Sequence, residues 1–178
     1  MRIYSFLFFI LLTGCARFSG QAQIVNIENA RIQADTVGWM GNLGVSAAVA
    51  QNVDKILQGN AEVHLQGKTK SKNGVWIVMG NAGFLKINKN RVVSDNLFHL
   101  RFNHNVNKWL VWEVFGQYQT NYITQIAART LLGTGPRFIL ARSNLFHLFS
   151  ACLFMYEREK ERTTPAVHHN DIRNSSYI

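Results

Sequence analysis

Apolar and polar residues alternate with a period of two along much of this chain. Trp39, Gly41, Leu43, Val45, Ala47 and Val49 hold one parity, and Asn42, Gly44, Ser46 and Ala48 the other. Leu57, Gly59, Ala61, Val63 and Leu65 repeat the pattern against Gln58, Asn60, Glu62, His64 and Gln66. Successive side chains of a strand point to opposite faces, so each stretch reads as an amphipathic strand. The pattern predicts strands over about 38–50, 56–69, 75–85, 96–103, 109–120, 126–140 and 145–157, with an eighth opening at Asp171. Most run to ten residues or more. Tilted strands need about 9–11 residues to cross a bilayer, whereas soluble strands average about 5–6. The expected fold is therefore all-β: an antiparallel up-and-down transmembrane barrel with lipid outside and water inside.

The connections carry turn signals. Gln51–Lys55 and His104–Lys108 are short and polar, Lys86–Asp95 is a longer polar loop, and Asn73-Gly74 is a hairpin-turn pair. Gly133, Gly135 and Pro136 interrupt the sixth strand and predict a bend or bulge there. The alternation weakens in the third strand, where Val75, Ile77 and Met79 are apolar on the expected polar parity. Phe115 breaks the polar parity of the fifth. Trp39, Trp76, Trp109, Tyr118 and Tyr156 lie near strand ends, where membrane barrels carry aromatic girdles.

The N-terminus adds a compartment. Arg2 followed by the apolar run Ile3–Leu12 has the form of a secretory signal, too short to span a bilayer. Cleavage after Ala22, at Gly20-Gln21-Ala22, is favoured. Leu12-Thr13-Gly14-Cys15 also resembles a lipobox, which would lipidate Cys15. The expected organisation is a signal peptide over 1–22, a periplasmic lead-in over 23–37 and the barrel over 38–178.

Charge and cysteine content change little. The formal net charge of +9 falls by two, to +7, once Arg2 and Arg17 leave with the signal. The basic residues are dispersed, which suits loops and membrane flanks better than a nucleic-acid footprint. With Cys15 gone, Cys152 has no partner for an internal disulfide, and its parity places it on an apolar face. Only two prolines occur, as expected where ladder hydrogen bonds dominate.

Several elements together resemble the salt-induced outer membrane protein family, a domain family of unknown function. They are Val25-Asn26-Ile27-Glu28-Asn29 through Asp35-Thr36-Val37-Gly38-Trp39, Phe98-His99-Leu100-Arg101-Phe102-Asn103-His104, Trp112-Glu113-Val114-Phe115, Gly133-Thr134-Gly135-Pro136-Arg137-Phe138 and Met155-Tyr156-Glu157. The resemblance covers most of 24–178 and rests on order and spacing. It implies an outer-membrane barrel and brings no catalytic residues. Family members continue through further strands, so a truncated member with an incomplete barrel is expected; closure as a small eight-stranded barrel is the alternative.

Candidate chemistry lies on the polar parities. His99, Arg101, Glu113, Arg129 and Glu157 would face the lumen, either lining a narrow channel or pairing to fill it. Glu157, Glu159 and Glu161 alternate with Arg158, Lys160 and Arg162, read as a solvated hairpin end beyond the membrane. His168-His169 with Asp171 invites a metal reading, but adjacent histidines on an extended chain point apart, and a mobile loop is the expected home. No phosphate-binding glycine loop or nucleophile elbow occurs. We therefore expect a non-enzymatic outer-membrane protein without cofactor, catalytic or metal residues, its cargo unknown, with a structural or narrow-channel role. Its expected partners are outer-membrane lipids and the barrel-assembly machinery. The alternative is a periplasmic or lipid-anchored soluble barrel binding an apolar ligand, which would turn Leu57, Val63 and Leu65 inward. An outer-membrane lipase would need a Ser or His in a lipid-exposed polar site, which the chain does not display.

Overall fold

The computed structural model describes residues 37–88, 90–142 and 147–177. The expected signal peptide, most of the expected lead-in and Cys15 fall outside them. The described chain forms one antiparallel sheet of eight strands in sequence order. These are β1 (Gly38–Gln51), β2 (Lys55–Lys68), β3 (Gly74–Ile87), β4 (Asn90–Asn105), β5 (Leu110–Asn121), β6 (Ile126–Arg142), β7 (His147–Glu161) and β8 (His168–Tyr177). Every strand pairs with its sequence neighbour, as an up-and-down meander requires. The sheet is barrel-like but open: β1 and β8 do not pair with each other.

Register assigns the faces. Gln66 stands opposite Ile77, Ile77 opposite Arg101, and Arg101 opposite Phe115. Phe115 meets Gly133, and Gly133 meets Met155. This face is the inner one, and it is buried from β3 to β7. The opposite parity carries Leu43, Val45, Leu65, Trp76, Leu100, Val114, Leu132 and Phe154, all exposed. Leu57, Val63 and Leu65 share that outer face, opposite Lys86, Gly80 and Val78. The apolar parity is thus outside and the polar parity inside, reversing the arrangement of a soluble barrel. β1 is exposed on both parities, so the interior is densest towards β4–β7.

Several local expectations are corrected. The polar loop over 86–95 shrinks to a tight turn, because β4 begins at Asn90. Asn88 takes a left-handed backbone (φ 55°), which an Asn tolerates. Its side chain accepts from the Lys55 backbone N–H at 3.0 Å and donates to Asp54 at 2.7 Å. A register shift beside Lys86 then restores the alternation. Asn73-Gly74 does not form the hairpin turn. The left-handed residue is Lys72 (φ 59°), the Lys72 N–H donates to the Thr69 carbonyl at 2.8 Å, and Gly74 already belongs to β3.

The bulge expected at Gly133–Pro136 is absent, since no register shift falls there, although Gly135 and Pro136 have no ladder partner on β7. β5 and β6 stay in register from Leu110↔Phe138 to Gln119↔Arg129. The shifts come near the strand ends, between Ile126 and Ala128 and between Ile139 and Ala141. Gly133 serves packing instead. A Cβ there would drive into the Phe115 ring and come within 2.9 Å of Met155 Cγ. Finally, β7 continues to Glu161 and β8 starts at His168. The charge-alternating run is therefore strand, and His168-His169 begin a strand instead of lying in a loop. The two histidines do point to opposite faces.

Candidate functional site

The inner face of β4–β8 carries two ion-pair clusters separated by an apolar waist. The lower cluster centres on Glu113 of β5, which is fully buried. Arg101 Nη1 on β4 donates to Glu113 Oε2 at 3.3 Å, and Arg137 Nη1 on β6 approaches Glu113 Oε1 at 3.5 Å. Each guanidinium also lies over a ring, Arg101 over Phe115 at 5.3 Å and Arg137 over Phe149 at 3.8 Å. Two cations share this one carboxylate.

The waist is Phe115, Leu153 and Met155, all buried, with Leu131 alongside. His99 closes it on the β4 side. Its ring stacks on Phe115 at 5.7 Å, and its Nδ1 donates to the Gln117 amide oxygen at 3.1 Å. Phe115, which interrupts the polar parity in the sequence, fills the space that Gly133 leaves open.

Above the waist, Arg129 of β6 bridges two carboxylates of β7. Its Nε lies 2.6 Å from Glu159 Oε2 and 3.3 Å from Glu157 Oε1. Arg173 of β8 reaches Glu157 at 3.2 Å and Asp171 at 3.4 Å. His169 Nε2 meets Glu161 at 3.0 Å. Each cluster satisfies most of the charge it buries, as an ionised group inside a protein must. A few buried polar atoms have no protein partner, among them His99 Nε2, Arg101 Nε and both side-chain polar atoms of Asn103.

All five sequence-selected residues lie on this inner face. Arg101 and Glu113 meet in the lower cluster, Arg129 and Glu157 in the upper, and His99 belongs to the waist. Sequence reasoning left out Arg137, Glu159 and Arg173. Arg137 shares parity with Arg129, and that parity was the signal that could have found it. Glu159 was assigned to a solvated hairpin end, and the structure corrects this: Glu157 and Glu159 face inward onto Arg129.

The outer face carries two aromatic rows. Trp39, Trp76, Phe102 and Trp112 lie toward the β2–β3 and β4–β5 turns, with Trp76 and Phe102 in ring contact at 4.5 Å. Phe84, Tyr118, Tyr122 and Tyr156 lie toward the opposite end. Trp109 sits in the β4–β5 turn itself. A Cβ at Gly67 would strike the Trp39 ring at 2.7 Å, so this glycine gives the indole its seat. Cys152 lies on the outer parity, as expected, with Sγ 3.4 Å from Asn174 Oδ1.

An open antiparallel meander with an apolar exterior and an ion-paired interior is a barrel-wall architecture. The chain belongs to the family described as Protein of unknown function, DUF481, whose model matches residues 56–177, from the start of β2 to the end of β8. The opening segment of the earlier resemblance, 25–39, precedes that match. No curated protein and no solved structure matches the chain.

Proposed function

We propose that this protein is an exported, non-enzymatic outer-membrane β-barrel protein of the salt-induced outer membrane type, with a structural role in the envelope. The observation that carries the proposal is the inverted polarity of the sheet. Val45 is 77% exposed and Phe154 58%, while Glu113 and His99 are 0% exposed. In water this arrangement leaves a continuous apolar wall unburied; in a bilayer the same wall faces its own solvent. The aromatic rows add support. Trp76 and Phe84 are eight residues apart on one strand, about 26 Å along it and about 20 Å along the normal for a strand tilted by ~40°, close to a ~25 Å apolar band. The outward position of Leu57, Val63 and Leu65 argues against the soluble barrel with an apolar ligand.

The filled interior favours a wall over a wide pore. Phe115, Leu153 and Met155 occupy the middle of the β4–β7 inner face, with an ion-pair cluster on either side. Membrane fractionation of the full-length protein tests the location: carbonate-resistant recovery with the outer membrane is expected, and recovery in the soluble periplasm overturns the proposal. Planar-bilayer recording tests the role. Small or no steady conductance is expected, and a large, stable open pore would replace the structural role with a channel.

A further inference from the structure

The run Glu157-Arg158-Glu159-Lys160-Glu161-Arg162 is sorted by the sheet into two surfaces. Its acids turn inward, where Arg129, Arg173 and His169 take them up. Arg158 and Lys160 stand on the exposed outer parity of β7, and Arg162, also exposed, follows the end of the strand at Glu161. Their neighbours across the ladder are neutral: Thr130 and Asn170 flank Arg158, and Ala128 and His168 flank Lys160. None of the three bases pairs with an acid among the described residues. The comb begins one outward position beyond Tyr156. At its far end the Arg162 guanidinium lies 5.2 Å over the Tyr122 ring. Successive outward residues of a strand are about 6.6 Å apart. Arg158 and Lys160 therefore stand ~7 and ~13 Å along β7 beyond Tyr156, with Arg162 packed over Tyr122, at the depth where headgroup phosphates lie when the aromatic row marks the interface.

We infer that Arg158, Lys160 and Arg162, with Tyr122 and Tyr156, form a docking surface for the phosphate-bearing headgroups of anionic lipids in the surrounding bilayer. This inference rests on the membrane reading above. Charge complementarity selects the ligand class: the comb offers guanidinium and ammonium donors to phosphate, and no carboxylate competes on that face. The adjacent rings seat the glycerol and upper acyl region. The inward acids matter too, since with Arg129 and Arg173 taking up the carboxylates the comb stays free for an external anion.

The test uses the full chain reconstituted in phosphatidylcholine vesicles doped with spin-labelled phosphatidylglycerol or spin-labelled phosphatidylcholine. The motionally restricted fraction of each label is read by electron paramagnetic resonance. A preference of about fivefold for phosphatidylglycerol is expected, the order given by one surface cation per bound headgroup. It should fall towards one in R158Q/K160Q/R162Q and in 0.5 M salt, about where screening reaches a few Å. The control K70Q/K72Q/K108Q removes an equal charge from the opposite turns and should keep the preference. Equal restriction of both labels by the inserted wild type overturns the inference alone. An equal loss in the control overturns it as well, by showing diffuse net charge. A change in oligomeric state without a change in lipid preference assigns the surface to protein contact and also overturns it. Failure of the wild type to enter vesicles at all overturns the membrane reading itself.

Discussion

Replacing Glu113 by alanine tests whether the interior is sealed. The carboxylate is fully buried and is shared by Arg101 and Arg137 at 3.3 and 3.5 Å. Those two guanidinium groups have side chains only 2% and 6% exposed. Removing the acid takes from Arg101 the carboxylate it meets in a nearly dry interior. Breaking a buried pair by deleting one partner costs about 3–5 kcal/mol, because the remaining charge stays desolvated. The Arg101 guanidinium, whose Nε has no other partner, places E113A in this range. The assay is guanidinium unfolding of the refolded protein in lipid vesicles, followed by tryptophan emission and by the heat-dependent gel shift of folded barrels. R101L/E113L/R137L should recover most of the loss, since it removes the charges together and fills the space with apolar side chains. A loss below about 1 kcal/mol for E113A is the refuting result. It would mean that water reaches the cluster and screens it as at a surface, so the interior would be a hydrated passage, not a filled wall.

Three further outcomes are expected. Leu100→Lys, on the outer face of β4, should cost about 2–4 kcal/mol in vesicles, the penalty for a cation near mid-bilayer, and equal stability of mutant and wild type would argue for an aqueous exterior. Gly133→Val should cost about 1–3 kcal/mol through overpacking against Phe115 and Met155; the same substitution in a Phe115→Leu background should cost much less, and a double-mutant cycle in the same unfolding assay measures the difference. Asn88→Gly keeps the left-handed turn but loses the hydrogen bonds to Lys55 and Asp54, about 1 kcal/mol, whereas Asn88→Ala should lose about 1 kcal/mol more to backbone strain. The ordering of these two melting temperatures checks the turn geometry.

Much of this wall was legible in the residues. Period-two alternation needs no tertiary information, so seven strands and the start of an eighth fall where the pattern places them. The same parity assigned His99, Arg101, Glu113, Arg129 and Glu157 to one face. The errors cluster where a local signal competed with pairing. Lys86–Asp95 reads as loop because it is polar, yet the β3–β4 hairpin closes at Asn88 and pulls Asn90 onward into the ladder. Gly133, Gly135 and Pro136 read as a bend because each weakens an isolated strand. In the sheet they stay in register, because Gly133 makes room for the Phe115 ring.

The charge run over 157–162 shows the division most clearly. Alternation alone determined that its acids and bases must part to opposite faces. Parity with the lumen-facing set also pointed Glu157 inward, but it named no partner for the acids of this run. Those partners lie some thirty positions upstream and about fifteen downstream. Arg129 on β6 and Arg173 on β8 meet the carboxylates only after the register of three strands is set. The sequence by itself thus determined a two-faced wall of long strands. Only the fold brought Arg129 and Arg173 to the inward acids, because the register of separate strands, and not the pattern along one, sets an opposite charge beside a buried one.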